Sequence, residues 1–147
     1  MTSDDVAHGP TENPYNELAW IVGDPVIGAG TWVGPFCLLD GSGGLTIGEG
    51  CDLAAGVHVY THSTARRCVT GRAAEVQRAP VVIGDHTFIG ASSVVLMGVT
   101  IGQRCIIGAG SVVTSDIPDG CCAVGVPARV VGTVDPATGA VRHRSVD

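Results

Sequence analysis

The chain has 147 residues, a net charge of −6, 45% hydrophobic residues and only 4% aromatic ones, which fits one domain with a narrow aliphatic core. The negative charge argues against nucleic acid or an anionic membrane surface as partner, and no apolar run approaches the roughly 20 residues that cross a bilayer. At the start, Asp4, Asp5 and Glu12 among Gly and Pro predict a disordered lead-in over residues 1–14, without the basic start and apolar stretch of a signal peptide. The expected compartment is the cytoplasm, with no membrane insertion.

From Ile21 a large aliphatic residue returns every sixth position, at Ile27, Val33 and Leu39, and after a two-residue stretch at Ile47, Leu53 and Val59. It restarts at Ile83 and runs through Ile89, Val95, Ile101, Ile107 and Val113. A period of six matches neither a lone helix, at about 3.6, nor an ordinary strand, at about 2. Four positions after the aliphatics comes a second register of small residues: Pro25, Thr31, Cys37, Cys51, Val57, Thr87, Ser93, Val99, Cys105 and Ser111. One large and one small inward residue per short flat face describes a prism of stacked strands. The fold class is therefore all-β, a parallel β-helix over residues 15–132. Glycines at 28, 34, 48, 84, 90, 102 and 108 follow the aliphatic, where the backbone is expected to turn closely. The segment 13–20 is expected to cover the first coil, whose open backbone groups need a cap.

Between residues 61 and 81 the hexads stop, and a polar loop over about 62–80 takes their place. Solenoids put such insertions on one edge, where they commonly form the binding face. His62 opens this loop, so its location marks it as a candidate functional residue. All eight basic residues are Arg, and four of them, Arg66, Arg67, Arg72 and Arg78, fall here against Glu75 alone. A solvated loop and an anion-contacting loop both fit that charge. Of the six cysteines, Cys37, Cys51 and Cys105 occupy the small inward register and read as small hydrophobes. Cys68 lies in the loop, Cys121 and Cys122 follow the last coil, and without a C-x-x-C no metal role is expected. Beyond Val113, Asp116, Pro118, Asp119 and Gly120 predict turns, and 123–131 an extended stretch returning along the stack. Residues 133–147 read as a turn and a loosely ordered C-terminal tail.

Four stretches, in this order, carry a resemblance: L-T-I-G-E-G-C-D-L-A-A-G-V-H-V-Y-T-H, A-P-V-V-I-G-D-H-T-F-I-G, V-T-I-G-Q-R-C-I-I-G-A-G-S-V-V-T-S-D-I-P and A-V-G-V-P-A-R-V-V-G. Over roughly residues 34–132 the chain resembles the hexapeptide-repeat acyltransferases, specifically the small sugar and xenobiotic O-acetyltransferases. The resemblance implies a left-handed coil, which the usual right-handed rule for parallel crossovers would not choose. It also implies a homotrimer, with acetyl-CoA as co-substrate in the clefts between neighbouring prisms. His62 would be the general base, taking the proton of an acceptor hydroxyl or amine, a role suited to an imidazole near neutral pH. The thioester oxyanion would be met by a backbone N–H around Ala91. Ala91, Ala109 and Thr114 would let the pantetheine arm lie against the coil, and Arg129 would stand near the coenzyme's phosphate end. Ser115 occupies the place of a frequent lysine in V-T-K-D-I-P, which shifts phosphate contacts toward Arg129 or Arg104. The loop reads H-S-T where maltose- and galactoside-type enzymes carry H-P, and there is no room for their N-terminal helical segment. The implied acceptor is therefore a sugar or nucleotide-linked sugar rather than a free disaccharide. The positive loop suits either an anionic acceptor or the coenzyme phosphates.

A backbone carbonyl, Glu75 or Asp85 could each orient His62. His58 reads as an exposed corner residue and His86 as a corner residue beside Asp85, while His8 and His143 lie in the tails. Two other classes share the coil. A γ-type carbonic anhydrase needs three zinc-binding histidines, and His58, His62 and His86 supply the number but not that family's spacing. A non-catalytic scaffold would have no use for a polar loop opening on a histidine.

Overall fold

The computed structural model describes residues 16–145. The lead-in expected over 1–14, His8 and the first part of the 13–20 segment lie outside these residues. The chain winds into a three-sided prism of parallel two- and three-residue strands. The first face stacks Ile21, Leu39, Val59, Val95 and Val113. The second stacks Ile27, Ile47, Ile83 and Ile101, and the third Val33, Leu53, Ile89 and Ile107. All thirteen point inward and all but the half-buried Ile27 are buried, the twelve buried ones each contributing about 1.5–3 kcal/mol of transfer free energy. At the N-terminal end a short 3₁₀ turn, Asn16–Leu18, lies on the first coil, where Leu18 O accepts the Phe36 N–H at 2.9 Å.

The small inward residues do more than fill space. Thr31 Oγ1 donates to Gly48 O at 2.7 Å and accepts the Cys51 N–H at 3.1 Å. Thr87 repeats this with Gly102 O and the Cys105 N–H, and Ser93 bonds Gly108 O at 2.9 Å. The thiols of Cys37, Cys51 and Cys105 each reach a carbonyl of the next coil at 3.1 Å. These cysteines are therefore donors as well as small hydrophobes. Corner backbone groups that a strand ladder cannot reach would otherwise be buried unsatisfied. Pro25, in the first coil, is only half-buried.

The glycines after the aliphatics have a different cause from the one their position suggests. A Cβ on Gly84 would lie 2.5 Å from Gln103 N, so close stacking of the next coil excludes a side chain there. The left-handed residue comes two places later. In one column of corners it is Gly50, His86, Arg104 and Gly120, and in another Phe36, Gly56, Ser92 and Gly110.

Ile47 pairs with Ile83, 36 positions on, where an uninterrupted coil takes 18. The difference is the loop. His62–Ser63 and Gln77–Arg78 form a two-stranded antiparallel ribbon with a one-turn helix, Ala65–Val69, beyond it. At the C-terminal end Cys121–Gly125 stacks in parallel on Ile106–Ile107, and Ala128–Val134 returns antiparallel to it. The tail is more ordered than its composition predicts. After a turn in which Gly139 N–H donates to Asp135 O at 2.7 Å, Val141–His143 pairs with Gly132–Val134. The outer edge of the returning strand needs partners for its backbone, and the tail supplies them. No helix among the described residues is long and apolar enough to cross a membrane.

Overpacking at a coil-to-coil contact costs about 1–3 kcal/mol. Gly84→Ala should therefore lower the unfolding free energy by that amount, read as a lower urea midpoint with an unchanged denaturant slope. An unaltered midpoint would show that the coils can part there without strain.

Candidate functional site

His62 leaves the prism where the first face ends. Its Nδ1 is hydrogen-bonded to Oδ2 of Asp40, and its side chain remains 36% exposed while that of Asp40 is 1% exposed. Asp40 sits one coil below, at the end of the strand Leu38–Asp40. Its Oδ2 also accepts the backbone N–H of Thr61 at 2.9 Å and the Thr61 hydroxyl at 3.1 Å, and its Oδ1 accepts the Ser42 N–H at 3.0 Å. Thr61 Oγ1 in turn bonds Asp40 O at 2.8 Å and accepts the Gly43 N–H at 2.8 Å. Burial pushes the Asp40 carboxyl up, but the bonds from Thr61, His62 and Ser42 outweigh it and hold the group well below the usual carboxylate range. With Nδ1–H donating to an ionised carboxylate, the neutral ring carries its lone pair on Nε2, the atom free to take a proton.

Asp40 is the partner that the sequence did not disclose. Asp85 instead caps a corner, its Oδ1 accepting the Glu49 N–H at 2.9 Å, and Glu75 is exposed in the loop. The available signal was an acidic residue directly after an inward aliphatic, just before the two extra residues that interrupt the hexads.

The other candidate residues fall into two files. Ala91 and Ala109 stack on the edge where the third face turns into the first, with Gly110 N–H donating to Ala91 O at 2.9 Å. Arg129 stands next to this file, since it pairs with Val124 above Gly108. Thr114 and Ser115 lie on the opposite side of the first face, on the edge that His62 leaves, two coils further along. All five are exposed. One side of the prism, six residues at about 3.3 Å each, lies between the two files, so Ala91 and His62 stand on different edges. Arg104 belongs to neither file. It lines a pocket of about 180 Å³ with Gln103, Asp119, Gly120, Val134 and Pro136.

At corners, the N–H following the inner glycine is capped by a carboxylate in two cases, Glu49 by Asp85 and Gln103 by Asp119. Among the described residues the Ala91 N–H has no such cap. The three histidines of the zinc reading do not converge. His58 is half-buried on the first face, its Nδ1 3.1 Å from the Tyr60 hydroxyl. It is thus a strand residue rather than a corner one. His86 occupies a left-handed corner on another edge. No group of three His, Cys, Asp or Glu that could hold a metal ion occurs among the described residues.

Known proteins give this architecture a context. The family described as hexapeptide repeat of succinyl-transferase matches residues 80–115. Nodulation protein L of Rhizobium meliloti is 42% identical over 106 residues, which is 72% of this chain and 58% of that protein. The chain therefore spans little more than half the length of that relative. A hexapeptide-repeat acetyltransferase from Vibrio cholerae, solved in complex with acetyl coenzyme A, superposes with a TM-score of 0.64 at 31% identity over 82% of this chain and 62% of that one. A maltose O-acetyltransferase from Clostridium difficile gives 0.65 at 27% identity over 90% and 82%. The fold is thus the left-handed parallel β-helix of hexapeptide repeats. In its repeat and its fold the chain is similar to the hexapeptide-repeat acyltransferases.

A carboxyl whose pKa is depressed on folding stabilises the fold above its unfolded pKa and loses that contribution as pH falls through the folded value. The melting temperature should fall on acidification below about pH 4, the range of an unfolded aspartate. Asp40→Asn should flatten that part of the profile, and an identical acid slope in the variant would remove Asp40 from the account.

Proposed function

We propose that this chain is an acetyl-CoA-dependent acetyltransferase that moves an acetyl group to a hydroxyl, or an amine, of a sugar or sugar-like acceptor. The observation that carries the reading is the His62–Asp40 pair at an exposed edge of the prism, opening the one long loop. Two relatives support the chemistry: one is solved with acetyl coenzyme A and another is a maltose O-acetyltransferase. His62 Nε2 takes the acceptor's proton as its oxygen or nitrogen attacks the thioester carbonyl. Asp40 holds the ring in the required tautomer and stabilises the imidazolium that forms. The uncapped Ala91 N–H meets the oxyanion, and collapse of the tetrahedral intermediate expels the coenzyme thiolate, which is protonated from His62.

Because His62 and Ala91 stand on different edges, the reading requires a second chain. A homotrimer provides it, with His62, Thr114 and Ser115 of one prism facing Ala91, Ala109 and Arg129 of the next across each cleft. In that cleft Arg129 and Ser115 serve the phosphate end of the coenzyme. The transferase domain is residues 15–132 with the loop at 62–80. Six free cysteines, five of them buried thiols, support a reducing, cytoplasmic setting.

His62→Ala should lower kcat by about 10²–10⁴-fold with acetyl-CoA binding retained in calorimetry, and near-normal turnover would end the assignment. Adding Asp40→Asn to that variant should cost little more, since the pair acts as a unit. Sedimentation of the wild type should give the mass of three chains, whereas a monomer with full activity would contradict a shared site.

A further inference from the structure

The antiparallel ribbon at the root of the loop places one arginine beside the candidate base. Ala79 N–H donates to Thr61 O at 3.0 Å, which makes 61 and 79 the hydrogen-bonded pair. The next pair outward, His62 and Arg78, is then of the non-hydrogen-bonded kind, whose Cα atoms stand about 4.5 Å apart with side chains on the same face. Arg78 is exposed, and among the described residues no acidic side chain lies within ion-pair distance of it. The neighbouring pair, Ser63 and Gln77, adds no charge. Asp40, the one carboxylate at this place, is buried beneath His62 with both oxygens occupied.

We propose that Arg78 is an anion-binding, specificity-determining residue, and that the acceptor carries a carboxylate or phosphate close to the group that is acetylated. This rests on the transferase reading for the word acceptor, but the anion site itself does not. The alternative owner of the anion is the coenzyme, and the geometry disfavours it. If His62 is the base, the thioester lies at His62, and the pantetheine arm holds the coenzyme's phosphates away from it, toward Ser115 two coils on and Arg129. Arg78, beside the base, faces the space left for the acceptor. A guanidinium suits either anion, because its planar fork binds both carboxylate and phosphate with two parallel hydrogen bonds. The other loop arginines do not share this position: Arg66 and Arg67 are on the one-turn helix and Arg72 follows it.

The first test needs no turnover. Inorganic phosphate is titrated into the wild type at neutral pH, and the His62 ring resonances, assigned by their loss in His62→Ala, are followed by NMR. A saturable shift is expected, weakened about tenfold or more in Arg78→Gln and less in Arg78→Lys, which keeps the charge but loses the fork. No response in the wild type, or an equal one in Arg78→Gln, overturns the proposal. The second test compares thiol release with galacturonate against galactose and with glucose 1-phosphate against glucose. The acidic member of at least one pair should have the higher kcat/KM, and which pair it is separates carboxylate from phosphate. Arg78→Gln should raise KM for that acceptor while KM for acetyl-CoA stays unchanged. Equal use of charged and neutral members overturns the acceptor assignment and leaves the transferase reading standing. A phosphate response with no thiol release for any acceptor keeps the anion site at Arg78 and counts against the transferase reading.

Discussion

Each coil of the prism hydrogen-bonds to the coil above and the coil below, and every corner must therefore bring the chain back into the same register. That requirement sorts residues into columns. Large aliphatics fill the middle of each face, and glycine sits wherever the next backbone presses too closely for a Cβ. Small hydroxyls and thiols occupy the inner corner because a carbonyl and an N–H there lie beyond the reach of the strand ladder. A methyl group in their place would match the volume and leave the backbone unpaired.

The candidate site arises from the same stacking with one irregularity. The coil carrying Asp40 is two residues longer than an uninterrupted one, and the extra length forms the turn whose Gly43 and Ser42 N–H groups bond Thr61 and Asp40. That turn seats Asp40 directly under the point where the chain leaves the prism. One carboxylate thereby fixes both the exit of the loop, through Thr61, and the ring of His62. A catalytic group built on a rigid stack and locked from beneath is held more tightly than one carried by the loop itself.

The period of six made the faces, the inward columns and the loop legible, because in a solenoid a residue's role depends on its place in a short repeat. His62 was legible for the same reason, as the residue at which the repeat stops. Asp40 was not, since it lies 22 positions earlier and acts only through stacking and the two inserted residues. The pairing of Arg78 with His62 was equally hidden: nothing in the loop's composition tells which arginine returns to the exit point. The left-handed corners at Phe36, His86, Ser92 and Arg104 escaped notice because they lack the glycine that marks their equivalents. The pairing of Val141–His143 with the returning strand escaped because a polar stretch gives no sign of an edge that needs covering.

The buried thiols have a consequence beyond packing. Cys37, Cys51, Cys105 and Cys121 stand at successive heights along the prism axis, each enclosed by its own coil, while Cys68 lies outside on the loop. In a solenoid whose units touch only their neighbours, opening proceeds coil by coil. The native chain thus carries a graduated scale, on which the order of alkylation by a thiol reagent reports the end from which the prism unravels.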